Sequence, residues 1–354
     1  MRIKLLPLTT IALLSIAIQA FAQNPHASLA TLPEADALVY VSPQRILNEA
    51  APRVVDPAEL TKMRNGFADM KKAAGIDPSS VEYLVIAVRF NKPASDLSFV
   101  APDVMAVIGG DFSSDSLLSL GQLYLQDKVR IEQYGQKAIT LMKIDPIVAE
   151  AEKNPILKPF TEIGVVPLTA NSLAIGNLRY LKSAIDAANG NGRISSASLE
   201  SLLRDPNALI SASGAPLASF AKSFGMLGLE NTTRESRCDT GFGNFYSALT
   251  MTATGFSLRG AMNADNPDTA RIIQGLLLGL MQQGISAVPD KDAQTMLKAL
   301  RLTAKESEVV VEADIPDKVV ADMLKSATAP KATKVEIAAP KPVPRRPVRK
   351  KRTR

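Results

Sequence analysis

Short segments that are apolar, or that alternate apolar with polar residues, recur along this chain between turn-forming residues. Such segments are typical of strands with one or both faces buried. Residues 250–254, for example, alternate threonines with apolar residues. The predicted strands are 36–42, 81–90, 103–109, 172–177, 207–213, 245–252, 256–263 and 308–314.

Between these strands, apolar residues recur every three or four positions, which predicts amphipathic helices. We expect Asn177, Asn266 and Asp314 to cap three of them, because their side chains can accept hydrogen bonds from the first free amides. The expected helices are 60–74, 178–188, 217–227, 316–325 and one that begins just beyond Asn266.

The helix beyond Asn266 carries the most start signals. Pro267 suits a first helical turn, and Asp268 is favourable at the positive end of the helix dipole. Gly275 and Gly279 are spaced for close packing against another helix. Its expected apolar face contains Ile272, Ile273, Leu276, Leu277, Leu280 and Met281.

Two octets, GIDPSSVE at 75–82 and GLENTTRE at 228–235, indicate an internal duplication. Both have glycine, an aliphatic residue, an acid, a spacer, two hydroxyl residues, another spacer and glutamate in the same order. The strand predicted at 36–42 likewise resembles the strand predicted at 207–213. Each octet stands where a helix is expected to stop at a glycine and the chain to turn into a strand. Matches in the same order favour two copies of one unit.

The fold class that follows is α+β, with two similar lobes at 32–191 and 198–326. Each lobe is expected to be a mainly antiparallel sheet covered by helices, because neighbouring strands follow one another as meanders. The turn-rich segment 189–192 is the expected joint between them.

The first predicted strand opens with LPEADALVYV, at 32–41. This opening resembles a group of uncharacterised exported bacterial proteins with a duplicated α+β unit. The resemblance implies a duplicated scaffold over most of the body and brings no active site with it.

The N-terminus predicts export. Arg2 and Lys4 precede an apolar run, and Ala20-Phe21-Ala22 ends it as a small-x-small cleavage site. Residues 1–22 are therefore expected to be a signal peptide and 23–31 a flexible mature N-terminus; the alternative is an uncleaved membrane anchor. No later run reaches spanning length, so we expect no transmembrane span after signal removal and a periplasmic or extracellular location.

The low numbers of histidine and cysteine exclude several classes of catalytic and metal site. His26 is the single histidine and falls in the expected flexible segment, and Cys238 is the single cysteine. The folded body therefore lacks the residues for a Ser-His-Asp triad, a Cys-His pair or a histidine-rich zinc site. We expect neither a cofactor nor a metal.

The net charge of +6 conceals two regions of opposite charge. The tail 327–354 carries ten Lys/Arg and one Glu, whereas the body 23–326 carries 29 basic and 34 acidic residues. The tail's five prolines predict a disordered, partly polyproline-like segment. Its last ten residues hold seven Lys/Arg and no aromatic residue. We therefore expect salt-dependent binding to an anionic lipid surface or envelope polymer, but no sequence-specific nucleic-acid binding. The residues expected to contact phosphates are Arg345, Arg346, Arg349, Lys350, Lys351 and Arg352.

The two copies differ at 236–244, a segment inserted in the second copy. Insertions of this kind form surface loops that sometimes bind a partner, and the alternative is a solvated turn. The candidate binding residues are Arg237, Cys238, Asp239 and Phe242.

Two short motifs raise enzymatic alternatives. Asp239-Thr-Gly241 matches the aspartic-protease triplet, but the first copy has no counterpart for the second aspartate. Ser219 and Lys222 match S-x-x-K, but the further motifs of that enzyme class are absent.

We therefore expect a non-enzymatic binding or structural protein of the bacterial cell envelope, possessing a basic tethering tail and a possible protein partner. The alternatives are an envelope hydrolase or transferase that uses carboxylates or Ser219 with Lys222, and a small-molecule binder at the lobe interface. Converging carboxylates would favour the enzyme, and a dry apolar pocket would favour the small-molecule binder.

Overall fold

The computed structural model describes residues 28–74, 77–91, 101–125, 129–144, 161–215, 242–287 and 291–328. The fold is α+β, as the sequence predicts, and is built on one antiparallel sheet of twelve strands. The strands are β1 (Ala37–Val41), β2 (Val81–Arg89), β3 (Asp103–Gly110), β4 (Val129–Tyr134), β5 (Lys137–Lys143), β6 (Glu162–Thr169), β7 (Ser172–Gly176), β8 (Ala208–Gly214), β9 (Phe242–Met251), β10 (Gly255–Ala264), β11 (Arg301–Lys305) and β12 (Glu308–Pro316).

Helical segments connect these strands. A π-helical turn, Ile46–Ala50, lies between two short α-helices in the connection from β1 to β2, and a 3₁₀ turn, Pro78–Ser80, directly precedes β2. The α-helices are α1 (Pro43–Arg45), α2 (Ala51–Val54), α3 (Pro57–Ala74), α4 (Ser114–Leu125), α5 (Leu178–Ala188), α6 (Ser196–Leu202), α7 (Pro267–Ala287), α8 (Lys291–Ala299) and α9 (Asp317–Thr328).

The predicted division into two separate lobed sheets is not confirmed, because the strands form one sheet. Their order is β11-β12-β10-β9-β8-β1-β2-β3-β7-β6-β5-β4. The first strands of the two predicted copies, β1 and β8, pair antiparallel at the centre, where Tyr40 lies opposite Ser211. Outward from this pair, each half continues through four strands in the same relative order, β2-β3-β7-β6 and β9-β10-β12-β11, and the first half then adds β5 and β4. The copies therefore extend one another's sheet through their backbone hydrogen bonds.

The two faces of the sheet can be followed through its register, because directly opposed residues in antiparallel strands point to the same side. We call the face that carries Leu38, Ala87 and Met105 the front face, and the face that carries Phe256 and Ile315 the back face. These five side chains are buried, so each face contributes to a hydrophobic core.

In the half from β1 to β7, the main core lies on the front face beneath α5. Leu181 of α5 occupies the space above Gly164, where it meets Ile139 and Leu141. A side chain at Gly164 would collide with Leu181, which explains the glycine in a buried strand. Tyr180 is fully buried in the same cluster.

In the half from β8 to β12, the core lies on the back face. Ala50 and Val54, which follow β1 in sequence, pack there with Phe256 and Ile315. Val320 of α9 joins this cluster, and α7 packs on the neighbouring back-face strands. The helices that follow the corresponding strands β7 and β12 thus lie on opposite faces, and the two copies are not equivalent in their helices.

One of three predicted helix caps is confirmed. Asn266 Oδ1 accepts the amide of Thr269 at 2.9 Å at the start of α7. Asn177 stands at the N-cap position of α5, as predicted, but its side chain bonds to Asp103 and Val104 of β3 and makes no capping hydrogen bond.

The prediction for Asp314 is also wrong. Strand β12 continues to Pro316, so that Asp314 lies inside the strand and not before a helix. Its carboxylate instead pairs with Arg301 of β11 at 2.9 Å.

The predicted joint at 189–192 is a tight turn within the fold. Gly190 and Gly192 have φ values of +103° and +65°, which favour glycine. The Gly192 carbonyl accepts the amide of Glu34 and so binds the turn to the chain before β1. The predicted helix at 217–227 lies outside the described residues, as do the segments 1–27 and 329–354.

Helix α7 buries a narrower face than the sequence predicts. Ile273 is 2% exposed, but Ile272 is 72% and Leu276 is 52% exposed. Of the helices in the described ranges, none is long and apolar enough to cross a membrane.

Candidate binding cleft

A cleft lies on the front face where the helix-covered half of the sheet meets the half whose helices lie on the back. Ser195 Oγ accepts the amide of Ser198 and starts α6, and the fully buried Leu202 anchors its last turn. The buried Ser211 hydroxyl of β8 donates to the Leu202 carbonyl at 2.6 Å. The end of α6 is thereby fixed above the centre of the sheet.

The turn between α6 and β8 forms one wall of the cleft. Asp205 Oδ1 accepts the amide of Asn207 at 2.8 Å, an Asx turn that reverses the chain within a few residues. The same turn holds Arg204 over the ring of Tyr246 in β9, with 4.1 Å between the guanidinium carbon and the ring centroid. A cation–π contact at such an exposed site contributes about 0.5–1 kcal/mol.

The floor of the cleft is the front face of β8 to β10. Arg259 of β10 lies opposite Ala248, two residues beyond Tyr246 along the front face of β9. Its Nε donates to the Ser257 hydroxyl at 3.3 Å, and Ser257 donates to Asp314 at 3.1 Å. The Arg259 side chain is exposed.

The cleft has a volume of about 330 Å³ and a net positive lining. Arg204 and Arg259 contribute two guanidinium groups, against the single carboxylate of Asp205. Among the described residues, neither arginine makes an ion pair within 4.0 Å, so most of their donors face the cleft or solvent. Guanidinium groups bind carboxylates and phosphates through paired hydrogen bonds, and Tyr246 adds an aromatic surface.

A second polar cluster lies at the outer ends of β2 and β3. Asp103 is fully buried, and its carboxylate accepts hydrogen bonds from Arg89 at 3.0 Å and from Arg179 at 2.8 Å. Asn177 adds a third donor at 2.8 Å. Arg89 also lies 4.6 Å above the ring of Tyr180.

This cluster is better explained as a structural element than as a binding site. Burial acts against the charge on Asp103, but the hydrogen bonds from Arg179 and Arg89 outweigh it and hold the pKa of the carboxyl below its usual range. Burial raises the pKa of Tyr180, whose hydroxyl donates to the Glu34 carbonyl. The guanidinium donors are thus directed to groups of the protein itself.

The structure leaves most of the predicted site residues untested. Arg237, Cys238 and Asp239 lie outside the described residues, as do Ser219, Lys222 and the six tail residues Arg345, Arg346, Arg349, Lys350, Lys351 and Arg352. Phe242 is the first residue of β9 and lies opposite Ala264 of β10.

Arg204 and Arg259, the cationic residues of the cleft, are not among the sequence candidates. The signal available was weak: Arg259 interrupts an apolar strand, and Arg204 stands in a polar turn before a strand. Nothing in the spacing of these two residues indicates that they line one cleft with Tyr246 of a third segment.

Within the described ranges, no group of three or more His, Cys, Asp or Glu side chains is arranged to hold a metal ion. No protein-family model matches the chain, and no curated protein is significantly similar to it.

Crystal structures of TP0453, a Treponema protein, are distantly similar. Crystal form III has a TM-score of 0.43 and 10% sequence identity, over 84% of this chain and 97% of that chain. Crystal form IV has a TM-score of 0.41 and 11% identity, over 84% and 95% of the two chains. No residue of the cleft is assigned from this similarity.

Proposed function

We propose that this chain is a non-enzymatic binding protein of the bacterial envelope, which holds an anionic ligand in the cleft between α6 and β8–β10. The observation that carries the proposal is the pair of arginines in the cleft. Arg204 is stacked on Tyr246 and so is pre-positioned, and Arg259 presents a second guanidinium from the floor. A donor that is already held in place, as Arg204 is by Tyr246, loses little conformational entropy when it binds an anion.

The ligand class is a carboxylate or phosphate attached to a small flat group. The guanidinium groups provide the charge complement, the planar Arg204 guanidinium that covers the Tyr246 ring provides a surface for stacking, and about 330 Å³ accommodates a small molecule. The two guanidinium groups and the carboxylate of Asp205 distinguish the cleft from the dry apolar pocket that a purely hydrophobic ligand would require. All residues that line the cleft belong to the second half of the chain, so its position does not favour the alternative of a small-molecule binder at the lobe interface.

The tail completes the proposal. The acidic body and the basic tail are separated along the chain, and the tail alone carries a charge density suited to phosphate-bearing surfaces. We propose that it holds the exported protein at an anionic lipid or polymer surface of the envelope. The body would then present its cleft at that surface.

The cleft is tested by titrating the mature protein with phenyl phosphate and inorganic phosphate and measuring binding by calorimetry. We expect phenyl phosphate to bind more tightly, because it can stack as well as pair. Replacing Arg204 or Arg259 with Gln is expected to weaken binding at least about tenfold, the loss of one charge-assisted hydrogen-bonding partner.

Arg301→Gln is the matched control. Arg301 is an exposed arginine near the same face, but it pairs with Asp314 and does not line the cleft. Equal affinity of the wild type, Arg204→Gln and Arg259→Gln for phenyl phosphate would refute the cleft as an anion site.

The tail is tested separately with vesicles of phosphatidylglycerol and of phosphatidylcholine. Protein 23–354 is expected to bind the anionic vesicles and to be released by salt, whereas protein 23–326 is not. A variant in which Gln replaces the six tail residues predicted to contact phosphates keeps the length and should behave like the truncated protein. Equal binding of all three proteins would exclude the tail as a tether and would leave the cleft result unaffected.

A further inference from the structure

The outer face of helix α7 carries large apolar side chains that nothing in the described chain covers. The inner face is accounted for, since Ala270 and Ile273 are buried against Val309 of β12. On the outer face, Ile272 and Leu276 are 72% and 52% exposed. Two aliphatic side chains one helical turn apart form a surface that gains free energy when it is covered.

Two glycines on the same outer face, Gly275 and Gly279, have no explanation in the packing of the described residues. A glycine inside a helix costs about 0.5–1 kcal/mol relative to alanine, because more backbone freedom is lost. At Gly275 and Gly279, nothing in the described chain lies within 4 Å of the place where a Cβ would stand. By contrast, a side chain at Gly176 would collide with the backbone of Val104. Neither outer glycine is therefore required by internal packing.

The outer face is also without charge. Beyond the ion pair of Asp268 and Arg271 in the first turn, α7 contains no charged residue as far as Ala287. Gly279, Gln282, Gln283 and Ser286 line a shallow groove that continues the line of Ile272 and Leu276. The face therefore consists of an apolar ridge beside a glycine-lined groove.

We propose that this face binds the same face of a second copy of the chain. Two copies of an uncharged surface can meet without like-charge repulsion. In a two-fold pair, the ridge of each helix can pack into the groove of the other. A strongly charged partner would gain nothing from this surface. The glycines allow the two backbones to approach closely.

An antiparallel arrangement follows from the order of the residues. A two-fold axis midway between residues 277 and 278 places Leu276 of each copy over Gly279 of the other. It also places Ile272 opposite Gln283, and the charged first turn of one helix near the polar end of the other. In this arrangement, the two helix dipoles oppose each other favourably.

The pair is expected to be weak. A single pair of helices of this length buries less than the about 1,200 Å² typical of stable complexes. We therefore expect reversible dimerisation with a Kd on the order of 10–100 μM.

The test is sedimentation equilibrium of the mature full-length protein from about 5 to 500 μM, a range that brackets the expected Kd, at moderate salt. Gly279→Leu fills the groove, and we expect it to weaken dimerisation at least about tenfold while raising the thermal stability of the monomer. A role confined to the monomer would not produce opposite changes in these two measurements. Ile272→Gln with Leu276→Gln should also abolish the dimer.

Two control substitutions separate the interface from general effects. Gly66→Ala alters another exposed helical glycine, in α3, with nothing within 4 Å of its missing side chain. Ile131→Gln alters another exposed aliphatic residue, which is 57% exposed on β4. Neither is expected to change dimerisation.

Cross-linking tests the orientation. In a Cys238→Ser background, a mixture of the Ile272→Cys and Gln283→Cys proteins should form disulfide dimers faster than either protein alone. The proposal is overturned if the protein remains monomeric throughout the range, or if Gly279→Leu and the double Gln variant dimerise like the wild type. It is also overturned if the face binds neutral vesicles in place of a second copy.

Discussion

Asp103→Asn is the perturbation that tests most directly how the first half of the fold is held together. The carboxylate is 0% exposed and accepts hydrogen bonds from Arg89, Arg179 and Asn177. Asparagine keeps the size of the side chain but removes the charge, and its amide group cannot accept the hydrogen bond that Arg89 gives to Oδ2. The variant therefore leaves a guanidinium group without its anion.

The expected loss in the free energy of unfolding depends on how exposed the two arginines are. Breaking a fully buried ion pair costs about 3–5 kcal/mol, but Arg89 is 28% and Arg179 is 57% exposed and both can be partly hydrated. We therefore expect Asp103→Asn to lower the free energy of unfolding by about 2–4 kcal/mol. Arg179→Gln, which removes the more exposed partner, should cost about 1 kcal/mol or less.

The assay is urea unfolding at several pH values. Since the pKa of Asp103 is lowered in the folded protein, its contribution is fully present above the unfolded pKa of about 4 and is lost as the pH falls through the folded pKa. The difference between wild type and Asp103→Asn should be constant from pH 7 to 5 and shrink below about pH 4. A loss of less than about 1 kcal/mol, or a difference that does not change with pH, would refute this account.

Two further substitutions test local features of the fold by thermal unfolding. Asn266→Ala removes the side chain that accepts the Thr269 amide, so the free energy of unfolding should fall by about 1 kcal/mol; an unchanged midpoint would show that the cap contributes nothing. Gly176→Ala places a Cβ 2.5 Å from the Val104 carbonyl oxygen, which should cost about 1–3 kcal/mol by overpacking. Full stability of this variant would contradict the close approach of β7 and β3.

Eight of the twelve strands could be predicted from the sequence because local pattern determines them, whereas β4, β5, β6 and β11 were not predicted. The predicted strand at 103–109 is β3, and the predicted helix at 178–188 is α5 with the same limits. These segments contain their own signals, a period of two or of 3.6 residues between polar breaks. The joining of the two copies into one sheet could not be predicted in this way. The pairing of β1 with β8 depends on backbone edges that no side-chain pattern identifies.

The helix caps show where local reasoning fails. Asn177 has the residue type and position of a cap, but the buried carboxylate of Asp103 competes for its amide group. An unpaired buried charge costs more than an unsatisfied helix amide near the surface, so the tertiary contact prevails. At Asn266 no such competitor exists among the described residues, and the local prediction is confirmed.

The cleft could not be predicted because its parts come from separate segments. Arg204 lies in a turn and Tyr246 in a strand 42 residues later, and they meet only because β8 pairs with β9. The same pairing places Arg259 on the floor through a third strand. A sequence pattern identifies which side chains of a strand are exposed. It does not identify which residues of other segments will lie next to them.

The cleft and the outer face of α7 both follow from one imbalance between the halves of the sheet. Had the helix after β12 covered the front face, as α5 does after β7, it would lie over β10 and β12 and cover the side of the cleft that carries Arg259. Because α9 and α7 lie on the back face, the described residues leave the front face of β10 open and polar, and on the back the outer side of α7 keeps Ile272 and Leu276 exposed. The two surfaces lie on opposite sides of one sheet, so the binding of phenyl phosphate in the cleft should leave the Kd of dimerisation unchanged. A change in that Kd would show that the sheet transmits strain between its faces, and the two surfaces would then have to be treated as one coupled site.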